Sequence, residues 1–163
     1  MTSHERVSVV EVMGRRCGDI ALYSGIASGA EIIVVPEIAF DMNEIIAKIN
    51  RSRAHGKHSN IIVVAEGVMG AEEFAKRLQA GTEHDVRPTC IGHVQRGGSP
   101  SMSDRMLAAQ FGNKAVRLLN DGVGNRVVGI RDNKIIDMDI IEAVSMKKEF
   151  NYELYETLQM ISM

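Results

Sequence analysis

The stretch Gly92-His93-Val94-Gln95-Arg96-Gly97-Gly98 sets an imidazole, a carboxamide and a guanidinium within four residues of one another. It follows a run at 86–91 that reads as a strand. Other apolar runs end in a similar way. Residues 7–12 give way to Met13-Gly14-Arg15-Arg16, 32–35 to Pro36-Glu37, and 61–65 to Glu66-Gly67. The planar fork of arginine donates paired hydrogen bonds to a phosphate. A carboxylate such as Glu66 accepts from sugar hydroxyls. Gly14, Gly97 and Gly98 let the backbone approach a ligand or take a positive φ. The chemistry these residue types suit is recognition of a polyhydroxy anion. Taken singly, each has a plain structural reading. Arg15-Arg16 suits a solvated helix start, His93 a structural histidine, and Gly97-Gly98 a turn. Ser99-Pro100 suits an N-cap followed by proline at the first helical position. Glu66 follows five apolar residues and is the hardest to read as ordinary surface.

What joins these residues is the edge they share. The runs at 7–12, 32–35, 61–65 and 86–91 alternate with helical stretches at 19–28, 41–55, 71–79 and from about 101 to 120. The helix at 41–55 carries Met42, Ile45, Ile46 and Ile49 at i, i+3, i+4 and i+7 spacing. Gly29 suits a C-terminal cap. Strand–helix alternation predicts an α/β domain of three layers with a mostly parallel sheet. The near-continuous apolar runs predict strands buried on both faces. In such sheets, ligands bind outside the carboxyl ends of the strands, where the residues above fall. Toward the end, 127–130 and 135–136 flank a turn-like centre and predict a hairpin. Residues 140–146 and 151–161 read as helices. Arg6 and Arg87 lie at the opposite ends of their runs. Arg87 precedes His93 by six residues, roughly 20 Å of strand. Neither arginine is expected to reach a ligand of His93 within one chain.

The totals narrow the partners. The 163 residues suit one domain with one core. A net charge of −2 argues for neither nucleic acid nor an anionic membrane. Trp is absent and aromatics are 4%, which disfavours base stacking. No apolar run approaches the length of a membrane helix, and the start lacks the regions of a signal peptide. Cys17 and Cys90 stand alone, which predicts a reduced, cytoplasmic setting. The strand at 7–12 begins within a few residues of Met1, which suits a domain that starts on a strand and equally one cut from a longer protein.

VVEVMGRRCGDIAL, GAEIIVVPE, IIVVAEG and above all GHVQRGGSPSMSDR resemble the C-terminal half of bacterial ATP-dependent 6-phosphofructokinase. The similarity covers about 7–146 without evident insertion. That family moves the γ-phosphoryl of MgATP onto the 1-hydroxyl of fructose 6-phosphate. The resemblance implies a phosphofructokinase-like fold, a cytoplasmic homotetramer and a sugar site at a subunit interface. It implies that Met13, Gly14 and Arg15 close over the sugar phosphate and that Glu66 binds sugar hydroxyls. It gives His93 and Arg96, with Val94 and Gln95 between them, to the 6-phosphate. Arg6 and Arg87 resemble the arginines that a neighbouring subunit lends to that phosphate. A second site, for ADP or phosphoenolpyruvate, is implied at Gly29, Ala30 and Glu31 with His55, Lys57, His58 and Ser59. Glu31 is there a ligand of effector-bound Mg2+. His55 stands where many relatives carry Lys or Arg.

The family's ATP-binding glycine loop and catalytic aspartates belong to its N-terminal half. This sequence has no GGDxxG-like loop and no TIDND-like segment. The expectation is a substrate-binding half that is inactive by itself, with no catalytic residue in the chain. A non-catalytic module that binds a phosphosugar or nucleotide, or only associates with other chains, is the alternative. ATP and pyrophosphate both remain open as the donor of the parent enzyme.

Overall fold

The computed structural model describes residues 5–162. Its contacts divide the chain into two compact units, Met1–Arg96 with Phe150–Met163, and Gly97–Glu149. The first unit is the α/β domain. It runs β1 (Arg6–Val12), α1 (Asp19–Ser28), β2 (Ile32–Val34), α2 (Met42–Ala54), β3 (Asn60–Ala65), α3 (Ala71–Gln79) and β4 (Asp85–Cys90). A short 3-10 turn, Gly92–Gln95, follows β4, and the C-terminal helix α6 (Tyr152–Ile161) completes the unit.

The four strands are parallel, in the order β2-β3-β1-β4. Strand alternation explains the layers. Val7, Val9, Ile62, Val64, Ile32 and Val34 share one face and pack against Ile45 and Ile49 of α2 and Phe74 and Leu78 of α3. The alternate residues Val12, Ile33, Val63 and Ala65 pack against Ala21 and Leu22 of α1, and against Phe150 and Leu158. Each side chain therefore reports its face by the parity of its number. The apolar stripe of α2 is the one its spacing predicts, with Met42 and Ile46 at its margin. Asp41 caps that helix, its side chain accepting from the Asn43 N–H at 2.8 Å. Gly29 ends α1 with φ 72°, the left-handed conformation that favours glycine.

Burial on both faces fails for β4. Only Val86 of its residues is buried. β4 lies at an edge of the sheet with β1 as its single neighbour, and Asp85, Arg87 and Thr89 give it a polar sequence, whereas the apolar edge strand β2 is fully buried. Pro88, which has no N–H to donate, is tolerated at such an edge.

The second unit holds α4 (Met102–Asn120), the antiparallel pair β5 (Arg126–Arg131) and β6 (Lys134–Asp139), and α5 (Ile140–Ser145). Asp132 and Asn133 have φ 49° and 58°, the paired positive values of a tight hairpin turn. The cap of α4 is Ser101, not Ser99. Its hydroxyl accepts from the Asp104 N–H, and the Asp104 carboxylate accepts from the Ser101 N–H at 2.8 Å. Ser101-x-x-Asp104 is a reciprocal capping arrangement, which places Pro100 outside the helix. Lys114 and Arg126 both reach the Asp137 carboxylate, each at 2.7 Å. Their hydrogen bonds hold Asp137 below the usual carboxylate range.

Candidate functional site

Parallel pairing brings the ends of β1, β3 and β4 to one edge of the sheet. Val12 lies opposite Ala65, and Glu11 opposite Cys90. The residues that follow these strands line a cleft of about 470 Å3: Met13, Gly14, Arg15, Glu66, Gln95 and Arg96, with Ile20 of α1. Six residues expected on chemical or family grounds thus meet in one place. His93 and Val94 lie in the same 3-10 turn as Gln95 but do not line the cleft, and Val94 is 86% exposed.

The loop 13–15 is fixed by side chains from two other strand ends. Glu66 Oε1 accepts from the backbone N–H of Gly14 at 3.1 Å and of Arg15 at 2.9 Å. Gln95 Oε1 accepts from the Met13 N–H at 2.8 Å. A backbone bond from Cys17 N–H to the Gly14 carbonyl, 2.9 Å, closes the turn. Arg15 sits at φ 51°, left-handed for a residue with a Cβ. That conformation costs about 1–3 kcal/mol and persists where the surroundings over-determine it. Here the surroundings are three donated N–H groups and one close approach. A Cβ on Gly67 would lie 1.4 Å from the Arg15 carbonyl oxygen. Gly67 was not among the expected site residues. The signal for it was its place beside a carboxylate at a strand end.

Two guanidinium groups and one carboxylate line the cleft. Hydrogen bonds from the Arg15 and Gly14 N–H groups hold the Glu66 carboxyl below its usual 4.5, and Arg15 and Arg96 add to the effect. Glu66 is therefore charged throughout the physiological range. Its depressed pKa means that the loop gains stability from the carboxylate above the unfolded pKa and loses it as pH falls through the folded value. The amide resonances of Gly14 and Arg15 are expected to follow the carboxyl with a midpoint below 4.5. A midpoint above 4.5 in an NMR pH titration contradicts the arrangement. Desolvation and the Glu11 carboxylate push the Cys90 thiol up, so it is a poor nucleophile near neutrality.

Arg6 and Arg87 are not brought into the cleft. The pairing sets Arg6 beside Asp85 and Arg87 beside Ser8, toward the opposite edge of the sheet. Arg6 precedes Met13 by seven residues, about 23 Å of strand. Arg87 Nε donates to Asp85 at 2.9 Å, and Arg6 Nε is buried with no hydrogen-bond partner among the described residues.

The residues expected at an effector site fall into two groups. Gly29, Ala30 and Glu31 form the turn after α1, and Lys57 reaches Glu31 Oε1 at 2.6 Å. Lys48 donates to the Glu31 carbonyl and to Ser162 Oγ, and burial pushes its pKa down. His55 instead turns back on its own helix, its Nδ1 meeting the Arg51 carbonyl at 2.8 Å. His58 pairs with Glu5 at 3.4 Å, and Ser59 lies half-buried just before β3. Glu31 Oε2 accepts from the Ile61 N–H at 2.5 Å, so both carboxylate oxygens already have donors. The described residues hold no group of three or more His, Cys, Asp or Glu placed to bind a metal.

Residues 1–119 match the family described as Phosphofructokinase. The chain belongs to the phosphofructokinase family. It is 53% identical over 161 residues to the ATP-dependent 6-phosphofructokinase of Clostridium acetobutylicum and 52% identical over 161 residues to that of Clostridioides difficile. Each alignment covers 99% of this chain and 50% of the relative. The chain thus spans about half the length of the curated relatives it matches. Among solved structures it is similar to Pichia pastoris phosphofructokinase in the T-state, with TM-score 0.80 and 27% identity over 99% of this chain and 20% of that one. Saccharomyces cerevisiae phosphofructokinase gives TM-score 0.78 and 38% identity, covering 87% and 21%. A pyrophosphate-dependent phosphofructokinase from Nitrosospira multiformis gives 0.77 and 25%, covering 92% and 43%. The strand–helix alternation predicts an α/β domain with a mostly parallel sheet, and the resemblance predicts the phosphofructokinase-like fold that these structures share.

Proposed function

We propose that this chain is the C-terminal, sugar-phosphate-binding half of a 6-phosphofructokinase. The reading is supported above all by one observation: Arg15, Glu66 and Arg96 converge on a single cleft at the carboxyl edge of a parallel sheet. Arg96 and His93 take the 6-phosphate of fructose 6-phosphate, and Arg15 adds positive charge in the same cleft. Glu66 Oε2 has no hydrogen bond among the described residues and accepts from sugar hydroxyls, while Oε1 holds the loop. Met13 and Gly14 supply backbone close to the sugar. Arg6 and Arg87 complete the phosphate site from a neighbouring copy.

In the complete enzyme, MgATP supplies the γ-phosphoryl group that passes to the 1-hydroxyl. Such transfer depends on positioning and charge stabilisation around both substrates, and this chain serves the acceptor side. Gly29, Ala30, Glu31 and Lys57 form an effector turn for ADP or phosphoenolpyruvate, with His55, His58 and Ser59 close in sequence. An incoming phosphate competes with Glu31 for the Lys57 ammonium.

Calorimetric titration tests the reading. Fructose 6-phosphate is expected to bind, fructose to bind far more weakly, and the chain alone to give no ATP-dependent turnover. Equal affinity for fructose and its 6-phosphate contradicts the phosphate site. Absence of any binding leaves association with other chains as the function.

A further inference from the structure

We infer that Gln95 is a positioning residue: together with Glu66 it latches the backbone 13–15 in the conformation that sets Arg15 in the same cleft as Arg96. The inference rests on the phosphosugar reading only for what the cleft binds.

The geometry is specific. The three consecutive N–H groups of Met13, Gly14 and Arg15 all donate to side-chain oxygens. Those oxygens come from residues 82, 52 and 51 positions away. No local turn motif accounts for partners so distant. Arg15 is left-handed without being glycine, so the loop has no intrinsic preference for this shape. Glu66 secures the second and third N–H groups. The first depends on Gln95.

The orientation of the Gln95 amide follows from the same bond. A backbone N–H needs an acceptor, which requires Oε1 and not Nε2 to face Met13. The NH2 group is then left without a hydrogen-bond partner among the described residues, on a side chain that lines the cleft. Gln95 is also in the 3-10 turn that carries His93 and adjoins Arg96. A shift of that turn therefore pulls on Met13, and a shift of the loop pulls on the turn. The two walls of the cleft move as one body.

Two variants separate this role from simple packing. Gln95→Leu keeps the bulk and removes the acceptor. Gln95→Glu keeps an acceptor for Met13 and removes the NH2 donor. Amide hydrogen exchange by NMR is the readout in the free chain. Gln95→Leu is expected to speed exchange at Met13 by roughly tenfold, the weight of one hydrogen bond. Core amides such as Val9 and Ile62 are expected to stay unchanged, whereas a merely structural defect speeds all of them. Gln95→Glu is expected to restore protection at Met13. Both variants are expected to weaken fructose 6-phosphate, the leucine variant by loosening the loop and the glutamate variant by charge. Unchanged exchange at Met13 in Gln95→Leu, or no restoration in Gln95→Glu, overturns the latch. If the unaltered chain binds no fructose 6-phosphate, the functional reading fails while the exchange data still decide the latch.

Discussion

Gly67→Ala is expected to lower the affinity for fructose 6-phosphate by about 100-fold or more while leaving the chain folded. The added Cβ falls 1.4 Å from the Arg15 carbonyl oxygen and 2.6 Å from its carbon. Both partners are backbone, so no side chain can swing away. Relief to ordinary contact needs a displacement of roughly 2 Å. The loop that must move is the one whose N–H groups bind Glu66. Loss of two hydrogen bonds to charged or polar ligand groups at about 1.5 kcal/mol each corresponds to roughly 100-fold in affinity. The cost in stability is expected to be about 1–3 kcal/mol, that of a local overpacking. Titration calorimetry and a urea unfolding curve measure the two effects separately. Gly98→Ala is the control, because a Cβ there meets nothing within 4 Å. An affinity loss under tenfold for Gly67→Ala removes the loop 13–15 from the site.

That contrast shows where sequence reasoning reached and where it stopped. Room for a ligand was expected from Gly97 and Gly98, which announce themselves as a pair after a donor-rich stretch. Gly97 does take φ 75°, but a Cβ on either would meet no other part of the protein within 4 Å. The tight approach is at Gly67, a single glycine whose place beside Glu66 marks a strand end but not a close contact. A close contact depends on what folds against a residue, and residue 15 is far away along the chain.

Periodic features were legible for the opposite reason. The stripe on α2 and the alternation in β1 and β3 are written locally, because one helix or strand must match one face of the sheet. The turn at Asp132-Asn133 was legible for the same cause. Partners were not. Glu66 was identified as a carboxylate at a strand end, but its bonds to Gly14 and Arg15 depend on the β1–β3 register. The place of β4 at an edge of the sheet depends on strand order, which no local pattern records. The family resemblance supplied roles for Arg6 and Arg87 that the fold of a single chain does not bring to the cleft.

Arg87, together with Arg96, carries the second large effect. Within one chain, Arg87 lies toward one edge of the sheet and Arg96 beyond the other. If both contact the same phosphate, they belong to different chains. Arg96→Leu and Arg87→Leu are each expected to weaken fructose 6-phosphate by roughly 10- to 150-fold, the loss of a hydrogen bond to a charged group. The informative measurement mixes them. In a two-fold interface, each copy gives the same surface and receives the same surface. A heterodimer of the two variants then has one site with both defects and one with none. Random pairing of equal amounts yields heterodimers in half the pairs, so about a quarter of all sites regain full affinity. Neither variant alone has any such sites. Calorimetry on the co-refolded mixture reads this as a high-affinity phase of about one-quarter stoichiometry. A mixture that shows only the average of its two components places both arginines outside a shared site. A chain that sediments as a monomer while binding fructose 6-phosphate tightly leads to the same conclusion, because Arg87 is then not needed for the phosphate.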